Sequence, residues 1–231
     1  VNTIHNTGLI ETINNSGNIT ATGNRAIYNK NENDGRNYGE IDTLINSGTI
    51  SAGSHAIHNT GTITTITNTG TIESTGSGYS IKNEGVITNL TNSKGASGST
   101  LTYTGTVPTN YNIIINSASD FGKIAFTSIT GSLNFNVDSE SELTGGTTYS
   151  SIMTGISSGS ISGQSGSHLN TSTGDRFEWS LENGGDATTW NLITETPQSI
   201  TPPTNCSIDS SLPGCTSDDE DIAVSYTHLR A

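Results

Sequence analysis

Two acidic side chains at matching positions are the first candidates for chemistry in this chain. Glu11 follows Ile10 and Asp42 follows Ile41, within the same repeated setting. If the two strands stack, the carboxyl groups lie roughly 5 Å apart, which is the separation found in retaining glycoside hydrolases. The next equivalent position is Thr64, and no basic or aromatic residue shares this register. We therefore expect two hydrated surface acids and no catalytic residue, with a polysaccharide-acting β-helix enzyme as an alternative function.

Histidines are the second candidates, because two of them together could bind a metal ion. His5 and His58 each precede a motif asparagine, in a column that reads His5, Tyr28, His58 and Lys82. Strand alternation places this column on the outer surface, and two coils separate the histidines by ~10 Å. A single Zn²⁺ with bonds of about 2.0–2.1 Å cannot reach both, and His55 brings no acidic third ligand. We expect no metal site and no cofactor.

The elements that would position these residues are repeats of a short motif, Ile-x-Asn-x-Gly-x-Ile. Short and long asparagine spacings alternate and sum to 22–24 residues, once about eight residues between Asn29 and Asn46 are treated as an insertion. The motif asparagines are Asn6, Asn15, Asn29, Asn46, Asn59, Asn68, Asn83 and Asn92. Most are followed two residues later by a glycine, namely Gly8, Gly17, Gly48, Gly61, Gly70 and Gly85. The asparagines predict ladders of amide–amide hydrogen bonds between coils, and the glycines predict turns with positive φ.

Aliphatic residues align at the same period. The four columns are Ile4, Ile27, Ile57 and Ile81; Ile10, Ile41, Ile63 and Ile87; Ile13, Leu44, Ile66 and Leu90; and Ile19, Ile50 and Ile72. A single coil cannot bury its own apolar face, so coils must stack. The predicted fold class is all-β: a right-handed parallel β-helix, or β-solenoid, of about four coils of 22–24 residues over residues 1–95. A plain β-sandwich is the alternative, but it gives no reason for aligned columns.

The repeats NSGTI, HAIHNTGTI and ITNTGTI resemble the passenger regions of bacterial autotransporters and related surface adhesins. The resemblance covers residues 1–95, and the start at Val1, inside a repeat, is interpreted as a fragment. The resemblance implies type V secretion, a cell-surface or extracellular location at the Gram-negative outer membrane, and a C-terminal β-barrel outside this sequence. It also implies a structural or adhesive role, with a host or environmental surface, presenting glycan or protein, as the partner.

The remaining chain divides into two further segments. Residues 96–195 lose the Asn/Gly motif but keep short apolar runs between polar turns, which predicts a non-repetitive β module that caps the helix. Its Trp179 and Trp190 are expected in the core. Residues 196–231, rich in Pro, Ser and Asp, predict a linker. There, Cys206 and Cys215 would form a disulfide if the protein is exported, with free thiols as the alternative, and the final AVSYTHLRA resembles translated adaptor sequence that is not native.

Composition narrows the function further. Ser, Thr, Asn and Gly supply 122 of the 231 residues, and the net charge is −13 with only eight Lys and Arg. This acidity argues against nucleic acid or an anionic membrane as partner. We predict a non-enzymatic secreted or surface passenger, with the insertion from Lys30 to Gly39 as a protruding loop. Threonines around Thr43 and Thr65 leave an ice-binding β-solenoid as a further alternative.

Overall fold

The computed structural model describes residues 1–32 and 38–196. Within these residues the chain is all-β and winds into a β-solenoid of about 6 turns, with one short 3-10 turn, η1, at Ser158–Ser160. The predicted fold class is therefore confirmed, but the prediction of four coils is too low, because the chain keeps stacking beyond the repeats. The predicted linker, the Cys206–Cys215 disulfide, the terminal AVSYTHLRA and the middle of the Lys30–Gly39 insertion lie outside the described residues.

The largest sheet has ten strands. In spatial order they are β1 (Ile4–Asn6), β4 (Ile27–Asn29), β7 (Ile57–Asn59), β10 (Ile81–Asn83), β12 (Leu101–Thr106), β16 (Ile124–Thr130), β18 (Thr148–Thr154), β22 (Trp190–Thr194), β21 (Arg176–Asn183) and β20 (Ser165–Leu169). Pairing is parallel from β1 to β18 and antiparallel from β18 through β20. The solenoid stack therefore ends against antiparallel strands, which pair with the edge that β18 would otherwise expose.

Two further parallel sheets complete the coils. One has seven strands in the order β19 (Ile161–Ser162), β17 (Leu133–Val137), β13 (Asn110–Ile113), β11 (Val86–Asn92), β8 (Thr62–Asn68), β5 (Glu40–Asn46) and β2 (Leu9–Asn15). The other has β3 (Asn18–Ala21), β6 (Thr49–Ala52) and β9 (Thr71–Ser74). A two-stranded antiparallel pair, β14 (Ile115–Ser117) and β15 (Asp120–Phe121), forms a separate small sheet whose Ile115 and Phe121 belong to the same core. Each of the first three coils thus contributes one strand to each of three sheets.

The interior is filled by the four aliphatic columns that the sequence predicts. Strand registers pair Ile4 with Ile27, then Ile57 and then Ile81, and the other three columns are aligned in the same way. From the second coil onward these side chains are 0–3% exposed. Each contributes on the order of 1.5–3 kcal/mol to stability by leaving water.

Aromatic side chains extend two of these columns past the repeats. Tyr103 and Phe126 continue the first column in register, and Tyr111 and Phe135 continue the third. The rings occupy the same inward positions as the isoleucines, so residues 101–137 add coils although they lack the Asn/Gly motif. This continuation is the reason the sequence-based count of coils is too low.

The two tryptophans belong to the core, as predicted. Trp179 and Trp190 are 7% and 6% exposed. The Trp190 indole N–H donates to the Ile156 carbonyl at 2.8 Å, and Trp179 packs edge to face on Phe135 with 5.5 Å between ring centroids. Their role is to pack the antiparallel strands against the last coils.

Two ladders of asparagine amides run along the axis inside the coils. In the first, Nδ2 of each asparagine donates to Oδ1 of the asparagine in the next coil, at 2.8 Å for every step from Asn6 to Asn83. The second, from Asn15 to Asn92, has steps of 2.7, 2.8 and 2.9 Å. The predicted ladders are therefore present. Because these side chains are only 0–7% exposed, protein groups rather than bulk water satisfy them.

Six of the eight ladder amides also bind a backbone carbonyl at the corner that follows them. Nδ2 of Asn29 lies 3.0 Å from the Gly39 carbonyl and 3.0 Å from the Thr62 carbonyl. Asn6 makes the same contact with the carbonyl of Gly8, at 2.8 Å. Gly39 therefore takes the place that a glycine two residues after the asparagine takes elsewhere, and the residues between Asn29 and Gly39 are an insertion, as predicted.

The motif glycines are required for a reason that the sequence does not predict. None of them has a positive φ, so the expectation of positive-φ turns is wrong. Instead, a Cβ added to Gly48 would overlap the carbonyl oxygen of Gly17 in the preceding coil. The same overlap with the preceding coil would occur at Gly61, Gly70 and Gly85. Coils approach so closely at this corner that only a residue without a side chain fits.

Gly48→Ala is expected to lower the free energy of unfolding by about 1–3 kcal/mol, because neighbouring coils must move apart to admit the methyl group. Gly17→Ala is the matched control: it stands at the same place in the first coil, where an added Cβ meets nothing within 4 Å. That control should stay within about 0.5 kcal/mol of the parent chain. Urea unfolding followed by circular dichroism measures both, and equal losses would contradict the stacking explanation.

Asn59→Ala is expected to cost about 2–4 kcal/mol, because it interrupts the ladder. The buried amide of Asn29 and the buried Oδ1 of Asn83 each lose one hydrogen bond, and the carbonyls of Gly61 and Val86 lose the Asn59 amide. Asn110→Ala is the control. Asn110 also bonds a neighbouring amide, Asn89, at 2.9 Å, but it faces outward and is partly exposed, so water replaces the lost contact. The control should cost under about 0.5 kcal/mol, and a larger loss there than at Asn59 would refute the role of the inner ladder.

Candidate functional site

A column of side chains runs along the outside of the largest sheet. His5, Tyr28, His58 and Lys82 are the middle residues of β1, β4, β7 and β10, paired in register. The His5 and Tyr28 rings stack with centroids 5.1 Å apart and planes 4° from parallel, and Tyr28 stacks on His58 at 4.9 Å and 16°. We name these four residues the ring column. Its register and outward direction are those that the sequence predicts.

A second column lies beside it. Arg25, His55 and Tyr79 each stand two residues before the inward isoleucine of their coil, and we name them the flanking column. The His55 ring packs edge-on against His58 at 5.7 Å and stacks on Tyr79 at 6.0 Å. The Arg25 guanidinium lies over the Tyr28 ring, 4.6 Å from its centroid, within the range of a cation–π contact. The two columns together form one cluster of rings and cations. We name this cluster, together with Glu84, the ring cluster.

Glu84 binds two members of the ring column. Its carboxylate lies 2.7 Å from His58 Nε2 and 3.0 Å from Lys82 Nζ. Because a carboxylate only accepts hydrogen bonds, Nε2 carries the proton and Nδ1 of the neutral ring keeps its lone pair. His58 is only 4% exposed. The prediction of a surface position is therefore wrong for His58, which faces outward but is covered by its neighbours.

The surroundings shift three pKa values in this cluster. Burial lowers the pKa of His58 below its ordinary 6.5, although the hydrogen bond to Glu84 opposes this effect. Burial also lowers the pKa of His55, and the nearby His58 acts in the same direction. Hydrogen bonds from His58 and then Lys82 lower the pKa of Glu84. At neutral pH the cluster therefore presents neutral imidazoles at His55 and His58 beside an ionised carboxylate.

Two nitrogen atoms of the cluster are buried without a hydrogen-bond partner among the described residues. They are Nδ1 of His58 and Nε of Arg25. A buried polar group left unsatisfied costs about 1–3 kcal/mol, so such atoms are sites for an ordered water or for a ligand group. One atom is an acceptor and the other a donor, and both side chains contact the ring of Tyr28. A hydroxyl group, which both donates and accepts, has the chemistry to satisfy both.

The acidic pair found in the sequence lies elsewhere. Glu11 and Asp42 come one residue after the paired Ile10 and Ile41, so they are neighbours in register as predicted. Glu11 is exposed and Asp42 is partly exposed. In the two described ranges, neither carboxylate takes part in an ion pair, and no group of three or more His, Cys, Asp or Glu residues could hold a metal ion.

One short motif has the form of a hydrolase nucleophile elbow. Residues 155–159 read Gly-Ile-Ser-Ser-Gly, which matches Gly-x-Ser-x-Gly. In hydrolases the serine sits between a strand and a helix and contacts a histidine. Here Ser157 follows β18 and precedes only the short turn η1. Within the part of the chain described, its hydroxyl bonds no histidine, so the motif is a loop and supplies no catalytic pair.

The outer face of the seven-stranded sheet carries two ranks of small neutral side chains. The first rank is Thr12, Thr43, Thr65, Asn89, Asn110 and Asn134. The second rank is Asn14, Ile45, Thr67, Thr91, Asn112 and Asn136. Thr43 and Thr65 therefore stand in one regular rank that Glu11 and Asp42 do not interrupt. This face is the surface on which the ice-binding alternative depends.

A shallow groove of about 300 Å³ lies among the antiparallel strands. It is lined by Ser165, Gly166, Glu178, Trp179, Ser180 and Glu195. Because Trp179 is buried and packs on Phe135, its ring belongs to the core and offers no open face to a ligand. The groove lacks the orphan polar atoms that mark the ring cluster.

Sequence reasoning names five of the eight residues in the two columns and Glu84, and it misses Arg25, Tyr79 and Glu84. The ring column follows from its place before the motif asparagines. Arg25 and Tyr79 were detectable, because they precede Ile27 and Ile81 by two residues, the same interval that separates His55 from its isoleucine. Glu84 was not detectable, because a carboxylate next to Asn83 has no counterpart in the other coils.

Comparison with known proteins returns no match: no protein-family model, curated protein or solved structure is similar to this chain. In the described residues no helix is long and apolar enough to cross a membrane.

His58→Gln is expected to reduce the acid sensitivity of the fold. Because burial lowers the pKa of His58 in the folded chain, the unfolded chain binds a proton more readily. Stability is then lost as the pH falls below about 6.5, the unfolded value. The His58→Gln chain should lose less free energy of unfolding between pH 7.5 and pH 5.5 than the parent chain does.

Urea unfolding at the two pH values measures this difference. His58 faces His55, Arg25, Lys82 and Glu84, so the substitution is made alone and these groups are kept. An unchanged difference between the two pH values would contradict the assigned effect of burial.

Proposed function

We propose that this chain is a non-enzymatic, adhesive segment of a secreted surface protein, displayed by a type V (autotransporter) route at the Gram-negative outer membrane. The observation that carries the proposal is the pair of asparagine ladders, which join successive coils along one axis. A stack held in this way is a stiff repeat structure whose outward side chains do not make the contacts that join the coils inside. Such a structure presents surface rather than a deep pocket.

Composition supports the same proposal. Small polar residues dominate, with 122 Ser, Thr, Asn and Gly, and the net charge is −13. A coil of such residues stays soluble while exposing much backbone and side-chain surface. Weak contacts repeated along a rod gain strength by avidity without a tight individual site. The resemblance of residues 1–95 to autotransporter passengers supports the route and the location.

The test uses the purified full chain on polystyrene beads at several surface densities. We expect the beads to adhere to cultured epithelial cells or to polysaccharide-coated glass. The number of adhering beads should rise more steeply than linearly with the density of the chain on the bead, because binding is multivalent. Beads carrying bovine serum albumin are the control. If beads at the highest density adhere no better than the control, the adhesive role is refuted.

Two further measurements on the same preparation address the alternatives. We expect no release of reducing ends from pectin, alginate or xylan, and no thermal hysteresis in ice. Release that is lost in the Glu11→Gln, Asp42→Asn double variant, but kept in Asp138→Asn, would replace the proposal with a polysaccharide-acting enzyme. Thermal hysteresis that is lost in Thr65→Lys, but kept in Thr104→Lys on the other sheet, would replace it with ice binding.

A further inference from the structure

We propose that the ring cluster, formed by the ring column, the flanking column and Glu84, binds an acidic polysaccharide through one sugar unit. The inference rests on the adhesive function proposed above and names the chemistry of its ligand. The assigned contacts are a carboxylate or sulfate of the sugar on the Arg25 guanidinium and a sugar hydroxyl between Arg25 and His58.

The positive charge of Arg25 favours an anionic ligand. Arg25 forms no ion pair with an acid in the described ranges, whereas Lys82 is matched by Glu84 at 3.0 Å and Lys30 by Glu32 at 2.9 Å. Among the described residues, the Arg25 guanidinium donates one hydrogen bond, to the side-chain oxygen of the adjacent Asn24 at 3.3 Å. The Arg25 guanidinium therefore keeps a planar fork of donors available for an oxyanion, and this local contact must outweigh the repulsion from a chain of net charge −13.

The two buried nitrogen atoms without a hydrogen-bond partner, on His58 and Arg25, favour a hydroxyl group on the ligand. Nδ1 of His58 is an acceptor, because Glu84 fixes the proton on Nε2. Nε of Arg25 is a donor, and both atoms are buried and unpaired. A carboxylate alone cannot donate to His58, whereas a uronic acid or sulfated sugar carries an oxyanion and hydroxyl groups within one ring. Glycan chemistry therefore fits the pair of atoms better than a simple anion does.

A metal ion is the competing ligand for neighbouring histidines, and hydrogen bonding argues against it. His55 Nδ1 accepts the Tyr79 backbone N–H at 3.1 Å. The neutral His55 ring then carries its proton on Nε2, so no lone pair remains for a metal. The adjacent Arg25 cation also repels a divalent ion. The ring cluster is thus built for an oxyanion and a hydroxyl.

The rings make the cluster rigid. Tyr28 is stacked on both sides, by His5 and by His58, and the Arg25 guanidinium packs against the same ring, 4.6 Å from its centroid. A guanidinium that is already placed loses less conformational freedom when an anion binds. The cluster is therefore preorganised for its ligand by the same register that stacks the inner asparagines.

Biolayer interferometry with the full chain tests the proposal against polygalacturonate, dextran sulfate, neutral dextran and poly-glutamate. Expected is binding to one or both acidic polysaccharides, weakened by raising salt from 50 to 200 mM, because the contact is ionic. The two polyanions distinguish carboxylate from sulfate as the recognised group. Binding of neutral dextran or poly-glutamate at equal strength would overturn the assignment to an acidic sugar.

Arg25→Ala is expected to weaken binding by about tenfold or more, since a charge-assisted bidentate contact is lost. Arg176→Ala is the matched control, because Arg176 is an exposed arginine on β21 far along the chain, and it should change binding by less than about twofold. Circular dichroism must show both variants folded. Equal effects of the two substitutions would overturn the assigned site.

A nuclear magnetic resonance measurement tests the hydroxyl contact separately. Adding galacturonic acid should shift the ¹⁵N resonance of His58 Nδ1 in the parent chain but not in Arg25→Ala. An unshifted Nδ1 with normal binding would overturn the hydroxyl contact. If the parent chain binds neither acidic polysaccharide but its beads still adhere, this inference is overturned and the proposed adhesive function stands. If the beads do not adhere, both the adhesive function and this inference are overturned.

Discussion

The close axial approach of one coil to the next is the constraint on which the whole structure depends. Strands in register lie about 4.8 Å apart, so every side chain meets its equivalent in the neighbouring coil at that distance. Two consequences follow at each corner. The asparagine amide reaches the next amide and bonds it, and the following glycine must lack a Cβ because a carbonyl oxygen of the previous coil occupies that space. The short motif Asn-x-Gly states both requirements at once.

How much of this could be read from the sequence depends on what repeats. Asn59 and Ile57 recur at a constant interval, so both their columns and the fold class were predictable. The glycine positions were predictable too, but their reason was not. A glycine suits positive φ or close packing equally well, and only the carbonyl of Gly17 under Gly48 decides between them. Residue type alone does not report the distance to a backbone in another coil.

The coil count shows a second limit. Beyond residue 100 the inward positions are held by Tyr103, Phe126, Tyr111 and Phe135, which share no motif with the isoleucines they follow. Both kinds of side chain satisfy the same requirement, namely to fill the interior and leave water. A search for repeats finds inward positions that keep the same residue type, such as isoleucine. It misses inward positions where a different residue type fills the same space. The ladders end there as well: Gly105 pairs with Asn83 in the first, and Ile113 pairs with Asn92 in the second.

The outer cluster is a consequence of the same inner register. Because His58 lies between an inward isoleucine and an inward asparagine, the ladder that fixes Asn59 also fixes the position of the imidazole over Tyr28. No binding energy is needed to bring those rings together. Outward residues therefore vary without breaking the inner ladders or the aliphatic columns, and each keeps a fixed position along the axis. A solenoid of this kind presents ordered columns of outward side chains, so a binding surface can arise by changing single residues. Arg25 and Glu84 are two such residues, because neither residue type recurs at the equivalent positions of the other coils.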